Sequence, residues 1–112
     1  MSYYTEIKTE LKNRQYVLSA LEELKRRGEI TRYERIEKKD SIKVDRGGDI
    51  MNISMTKEGT LQVEGDARVV KEFTRRLTQM YAYVSIKENL PLDFEIAKET
   101  ESAGSITILL KG

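Results

Sequence analysis

The chain has 112 residues and a mass of 13.0 kDa, with 38% hydrophobic and 35% charged residues, which fits a single domain over residues 1–112. Twenty basic and nineteen acidic side chains leave a formal charge of +1, a balance that argues against a dedicated polyanion binder. Cysteine, histidine and tryptophan are absent, which excludes disulfides, thiolate nucleophiles, Cys/His zinc sites and imidazole catalysis.

The first elements in chain order are predicted to be a strand and a helix. Tyrosine, threonine and isoleucine mix with charges over residues 3–10, a composition that favours a strand. Apolar residues then recur at helical spacing over residues 15–27. Asn13 stands where an N-cap belongs, and Gly28 is expected to end the helix.

The middle of the chain is predicted to be strands. A strand with at least one polar face is expected over residues 30–36. Residues 41–64 alternate between apolar and polar positions, most clearly over residues 51–56, and glycine-bearing turns interrupt the alternation. This pattern predicts an antiparallel meander.

The last third of the chain is predicted to be a long helix and a hairpin. Asp66 is the expected N-cap, an apolar stripe extends over residues 69–84, and Pro91 ends the helix. Alternating residues at 94–96 and 106–110 flank the turn Ser102-Ala103-Gly104 and predict the hairpin.

These elements give the order β-α-β-β-β-α-β-β. We expect an α+β fold, a two-layer sandwich of ferredoxin-like type, in which one mostly antiparallel sheet carries two helices on one face. The other sheet face would carry Lys, Thr, Asn and Ser and would face water. Neither a signal peptide nor an apolar run approaching the roughly 20 residues that span a bilayer is found, so we expect a cytoplasmic protein.

An acidic, glycine-rich turn over residues 45–49 is the candidate metal site. Asp45 and Asp49 flank Gly47-Gly48 and offer carboxylates of the kind that Mg²⁺ or Ca²⁺ binds. The pair lacks a third ligand and does not match a calcium-loop pattern. The favoured interpretation is therefore a hairpin turn, in which the glycines supply positive φ.

Basic residues form three groups, of which the one on the second helix is the most regular. Arg68, Lys71 and Arg75 recur at i, i+3 and i+7 beside Arg76, a stripe that can follow a phosphate backbone. Glutamates are interleaved with all three basic groups. A solvated, salt-bridged helix face is therefore favoured, and nucleic-acid binding through Arg68, Lys71, Arg75 and Arg76 is the alternative.

Tyrosines provide the remaining candidate side chains. Tyr33 and either Tyr3 or Tyr4 offer stacking surfaces on a sheet, as single-strand binders use. Tyr81 and Tyr83 point to different sides of the second helix, so one is expected in the core and the other partly exposed. A packing role is favoured for both over general acid catalysis, because an unperturbed phenol titrates far above neutral pH.

Three segments carry a family resemblance: residues 1–13 (MSYYTEIKTELKN) with the leucines that follow, residues 73–83 (FTRRLTQMYAY), and the closing hairpin with its glutamates and residues 106–110. In them the chain resembles a small family of uncharacterised bacterial and plastid-encoded proteins, the hypothetical chloroplast reading frames, which carry a domain of unknown function. Residues 30–65 are shorter and less aromatic than in that family.

The resemblance implies little chemistry, because the family has no established activity or catalytic residues. Its members lie beside genes for AAA-type ATPases, which implies an accessory role and makes such an ATPase a candidate partner. The polar positions that match the family's pattern form the expected partner surface: Lys8, Thr9, Lys12, Gln79 and Tyr81. Solvation of a strand by Lys8 and Thr9, and a loop hydrogen bond from Gln79, explain these residues equally well.

The favoured function is a non-enzymatic interaction or accessory module, without a cofactor, that self-associates or docks on a larger protein. A phosphate-binding loop, a nucleophile elbow and a catalytic triad are all missing from the sequence. Nucleic-acid binding through the basic stripe is one alternative. An enzyme that uses carboxylates with Mg²⁺ at Asp45 and Asp49 is the other.

Overall fold

The computed structural model describes residues 4–102 and 105–112 and confirms the α+β, two-layer class. In chain order the elements are β1 (Tyr4–Lys8), α1 (Arg14–Arg26), β2 (Arg32–Ile36), a 3₁₀ turn (Glu37–Lys39), β3 (Ser41–Arg46), β4 (Asp49–Met55), β5 (Leu61–Asp66), α2 (Ala67–Glu88), β6 (Glu95–Ser102) and β7 (Ser105–Lys111). Four strands rather than three therefore separate the helices, because the 3₁₀ turn divides β2 from the meander. Part of the turn predicted over residues 102–104 lies outside the described residues.

The main sheet has five strands in the order β1-β5-β4-β3-β2, and every neighbouring pair is antiparallel. Strands β1 and β2 therefore run in the same direction at opposite edges, and α1 crosses the sheet between them. This is a split β-α-β arrangement with three strands inserted.

The prediction of a single sheet is wrong for the closing hairpin. In a ferredoxin-like sheet the strand that follows the second helix returns to the sheet. Here β6 and β7 pair only with each other in a separate two-stranded sheet. The outer edge of β1 consequently stays open.

One core joins both helices to one face of the five-stranded sheet. Alternate residues of β3, β4 and β5 are buried, and both helices contribute apolar stripes to the same cluster. The fully buried side chains of the two helices include Val17, Leu21, Leu24, Leu77 and Met80. The opposite sheet face carries polar residues such as Lys43, Asn52, Ser54, Gln62 and Glu64. The predicted placement of both helices on one face agrees with this arrangement.

The caps of both helices form as predicted. The Asn13 carboxamide oxygen accepts a hydrogen bond from the Tyr16 amide at 3.1 Å, and the Asp66 carboxylate accepts one from the Arg68 amide at 2.8 Å. Gly28 follows α1 with φ of +78°, a conformation that glycine adopts without strain. Local sequence therefore sets where these helices begin and where α1 ends.

Gly65 is required for a different reason, the close approach of β4. A β-carbon at this position would lie 3.0 Å from Met51 Cγ and 3.2 Å from the Ile50 carbonyl oxygen. The carbonyl belongs to the backbone of the neighbouring strand and cannot move aside cheaply. The space above Gly65 is thus filled by Met51, a fully buried side chain.

We expect Gly65→Ala to lower the free energy of unfolding by about 1–3 kcal/mol, because the added methyl group overfills the contact between β5 and β4. Urea denaturation measures the loss, and Gln62→Ala on the polar face of the same strand is the control. Equal losses of unfolding free energy in the two variants would contradict the inference that β4 leaves no room for a β-carbon at Gly65.

Candidate functional site

Two of the five residues predicted to form a partner surface have structural roles. The Thr9 hydroxyl donates to the Leu61 carbonyl at 2.6 Å and accepts from the Leu11 amide at 3.2 Å. The Tyr81 hydroxyl accepts a hydrogen bond from the Asn13 amide at 3.1 Å. Both side chains therefore hold the segment that connects β1 to α1.

Of the other three predicted residues, Gln79 lies apart, and the two lysines are exposed beside Thr9. Gln79 lies two positions before Tyr81, about 200° away around the helix, and its side-chain oxygen accepts from Arg76 Nη1 at 2.7 Å. Lys8 is exposed at the end of β1, and Lys12 is exposed in the following loop. The structure thus places Lys8, Thr9, Lys12 and Tyr81 at the connection between β1 and α1, and Gln79 beside Arg76.

The predicted basic stripe is divided in a similar way. Arg68 pairs with Asp66 at 3.1 Å and has a side chain that is 72% exposed. Lys71 and Arg75 are also exposed, whereas the Arg76 side chain is only 14% exposed. Arg76 faces away from solvent into an ion-pair network, so a phosphate backbone would meet at most the other three.

The acidic turn between β3 and β4 adopts the hairpin conformation that its glycines favour. Gly47 and Gly48 have φ values of +59° and +97°, and Asp45 Oδ1 accepts from the Gly48 amide at 2.8 Å. The second Asp45 oxygen lies 3.6 Å from Arg32 Nε. Within residues 4–102 and 105–112, no three acidic side chains converge to hold a metal ion. The geometry supports the turn interpretation of Asp45 and Asp49.

Tyr33, the predicted stacking residue, is half-buried against the core instead of being freely displayed. Its hydroxyl donates to the Glu22 carboxylate at 2.6 Å, which connects β2 to α1. This hydrogen bond, with a smaller effect of burial, raises the pKa of Tyr33 to about 12. Tyr4 is exposed on β1, and Tyr3 lies outside the described residues.

Arg76 is the centre of an ion-pair network that the sequence did not reveal. Its guanidinium donates two hydrogen bonds to Glu29, at 2.7 and 2.8 Å, and lies 2.6 Å from a Glu101 oxygen. The hydrogen bond to Glu29 is the main reason why the pKa of Arg76 is raised further. One side chain thus joins α2 to the loop after α1 and to hairpin strand β6.

Arg27 and Tyr83 extend the network along β6. Arg27 Nη1 donates to Glu101 at 2.8 Å, its Nε donates to Glu23 at 2.9 Å, and its guanidinium lies 5.5 Å from the Tyr83 ring centre. The Tyr83 hydroxyl donates to Glu99 at 2.7 Å. Glu99 and Glu101 occupy the same face of β6, so the hairpin is attached through alternate glutamates.

A cleft of about 430 Å³ lies next to the network. Leu24, Ile30 and Phe73 form its apolar part, and its charged lining consists of Arg27, Arg46, Arg75, Arg76, Glu29, Glu72 and Glu101. Three of these arginines are held in ion pairs with lining glutamates. Most of the charged side chains that line the cleft are therefore paired with each other within the protein.

Most residues of hairpin β6–β7 that the structure describes are exposed. Ile106 and Ile108 pack against the core, while Leu109 and Leu110 are 57% and 42% exposed. The radius of gyration is 14.9 Å, compared with about 13 Å for a typical domain of this length. Since a two-stranded hairpin is marginally stable in water by itself, its attachment to α2 and its exposed apolar residues make it the candidate functional surface.

Comparisons with protein families, curated proteins and solved structures find no match to this chain. The resemblance to the chloroplast reading-frame family therefore stays a prediction. Among the described helices, none combines the length and the apolar character needed to cross a membrane.

Replacement of Tyr33 by Phe is expected to destabilise the protein by about 1 kcal/mol near neutral pH, because the hydrogen bond to Glu22 is lost. The folded state raises the pKa of Tyr33 from its usual value near 10 to about 12 and so holds this proton more tightly. The stabilisation is fully present below about pH 10 and declines as the pH rises towards about 12. Urea denaturation across this range should show the difference between Tyr33→Phe and the parent protein shrinking, and a constant difference would contradict the assignment.

Replacement of Arg76 by Gln should cost about 2–4 kcal/mol of unfolding free energy, because Glu29 and Glu101 lose a partly buried partner. Amide hydrogen exchange in β6 should also accelerate, since its attachment to α2 is weakened. Arg68→Gln on the same helix is the matched control and should cost less than about 0.5 kcal/mol, because its ion pair is exposed. Unchanged exchange in β6 would show that Arg76 does not hold the hairpin.

Proposed function

We propose that the protein is a non-enzymatic interaction module that binds another polypeptide by adding a strand to hairpin β6–β7. The observation that carries the proposal is the separation of this hairpin from the main sheet. Strand addition uses the unpaired backbone N–H and C=O groups at a sheet edge, and neighbouring side chains supply selectivity. A two-stranded sheet has two such edges and is stabilised by each strand that it gains.

The attachment of the hairpin supports this function. Arg27 and Arg76 contact Glu101, and Tyr83 contacts Glu99, so the second half of β6 is held at two residues. A binding strand that is already ordered loses less conformational entropy when its partner arrives. The ion-pair network thus supports an interaction element that is presented in one orientation.

The side chains of β7 support the same conclusion. Its sequence SITILLK contains four aliphatic residues and a single charge. Leu109 points away from the core-facing residues Ile106 and Ile108 and is 57% exposed. Exposed apolar residues on an unpaired strand are typical of surfaces that bind protein.

The alternative functions draw less support from the geometry. Nucleic-acid binding would lose Arg76, which is paired with glutamates, and would rely on Arg68, Lys71 and Arg75. A Mg²⁺ enzyme would need a further ligand beside the carboxylates of the acidic turn. An AAA-type ATPase stays a candidate partner through the family resemblance alone.

A labelled peptide with the sequence of β7, residues 105–111, tests strand addition directly. We expect it to bind the full chain in the micromolar range, because a single added strand makes a small interface. NMR chemical-shift changes should concentrate in β7 of the protein. The control is the same peptide with proline at the positions of Thr107 and Ile108, which should bind at least about tenfold more weakly because proline has no backbone N–H to donate to the ladder.

Absence of peptide binding would contradict the proposed function. Shift changes confined to β1 or β2 would contradict it equally, because they would assign strand addition to the main sheet.

A further inference from the structure

Four strands of the described chain have an open edge, and they differ sharply in charge. Strands β1 and β2 are the edges of the main sheet, and β6 and β7 are the edges of the hairpin. Charged residues number two of five in β1, three of five in β2, four of eight in β6 and one of seven in β7. Charges on an edge strand oppose pairing with another chain. Strand β7 is therefore the edge that is least protected.

The two edges of the hairpin also differ in regularity. Strand β6 contains a register shift between Ile96 and Lys98, a β-bulge or similar irregularity that disturbs the ladder. On the β7 side the pairing with β6 is continuous from Ile106 to Leu110. Strand β6 also carries three glutamates, Glu95, Glu99 and Glu101, which would repel a second β6. Self-pairing is thus disfavoured at β6 and favoured at β7.

We infer that the strand accepted by β7 is β7 of a second copy of this chain, so that two hairpins form one four-stranded antiparallel sheet. The inference rests on the proposed function and names its partner. A strand with one charge, at Lys111, is complementary to itself because an antiparallel arrangement places the two Lys111 side chains at opposite ends. No like charges then face each other.

Symmetry determines the register of this pairing. A two-fold axis normal to the sheet keeps each side chain on its own face, so only residues of the same face can be directly opposite. An axis through Ile108 is the arrangement that pairs all seven residues of Ser105–Lys111. Ile108 then faces the partner's Ile108, and Thr107 faces the partner's Leu109.

The core-facing side of this register is apolar throughout. Ile106 lies opposite the partner's Leu110, and Ile108 lies at the axis. Aliphatic residues that are directly opposite in a ladder stabilise it. On the outward face the uncharged Ser105 lies opposite the partner's Lys111, so this pair brings no like charges together. Leu110, 42% exposed in the single chain, gains an apolar neighbour.

The expected affinity is modest. A contact between two seven-residue strands is smaller than the interfaces of stable dimers, which bury about 1,200–2,000 Å². We therefore expect a dissociation constant in the micromolar range and a monomer–dimer equilibrium that depends on protein concentration. Sedimentation equilibrium of the full chain from about 5 to about 500 µM covers this range.

Charge substitutions on the outward face test both the surface and the register. In the Thr107→Lys/Leu109→Lys variant, two lysine pairs face each other across the axis, and we expect dimerisation at least about tenfold weaker. In the Thr107→Glu/Leu109→Lys variant, each glutamate faces a lysine, and the dissociation constant should stay within about threefold of the parent value. Thr100→Lys, on the outward face of β6, is the charge control and should also stay within about threefold.

The positions substituted in β7 are exposed, so the variants should keep the parental circular dichroism and urea midpoint. A chain that stays monomeric to about 500 µM while binding the β7 peptide would overturn the second-copy inference and leave strand addition intact. A dimer unaffected by the lysine pairs would also overturn it, and equal dissociation of both double variants would overturn the axis through Ile108.

Discussion

The position of the C-terminal hairpin depends on one largely buried guanidinium. Arg76 connects α2 to Glu29 after α1 and to Glu101 on β6, with distances between 2.6 and 2.8 Å. Burial of such a group is costly unless each hydrogen-bond donor finds an acceptor. Since the two glutamates come from separate parts of the chain, satisfying Arg76 also determines where those parts lie.

Because the hairpin forms a sheet separate from the main sheet, two consequences follow for the strand edges. The main sheet keeps an open edge at β1, which is short and carries Glu6 and Lys8. The hairpin in turn presents two edges of its own, of which β6 is charged and irregular. Among the strand edges that the structure describes, only β7 combines length, regular pairing and low charge. Protection of three edges and not of the fourth is the pattern expected of a protein that uses one edge for binding.

Local features of the fold could be predicted because their causes are local. Asn13, Asp66 and Gly28 act through the backbone within a few residues, and the alternation of Met51 and Ile53 reports which sheet face is buried. The candidate site was harder to predict. The place of Arg76 beside Arg75 in the helical spacing predicts that this residue belongs to a basic stripe. Its partners lie 47 and 25 positions away along the chain, where periodicity carries no signal.

By itself the sequence determined the α+β class, the helix caps and the glycine turn after Asp45. It also determined which face of each strand of the meander is apolar. These features follow from backbone conformation and from the burial of apolar side chains. Only the tertiary structure decided that β6 and β7 leave the sheet, that Thr9 and Tyr81 hold a loop, and that β7 remains an open edge. Strand order and ion pairing depend on contacts between distant segments. The order of apolar and polar residues limits which strand orders and ion pairs are possible, and the packing of the folded chain determines which of them form.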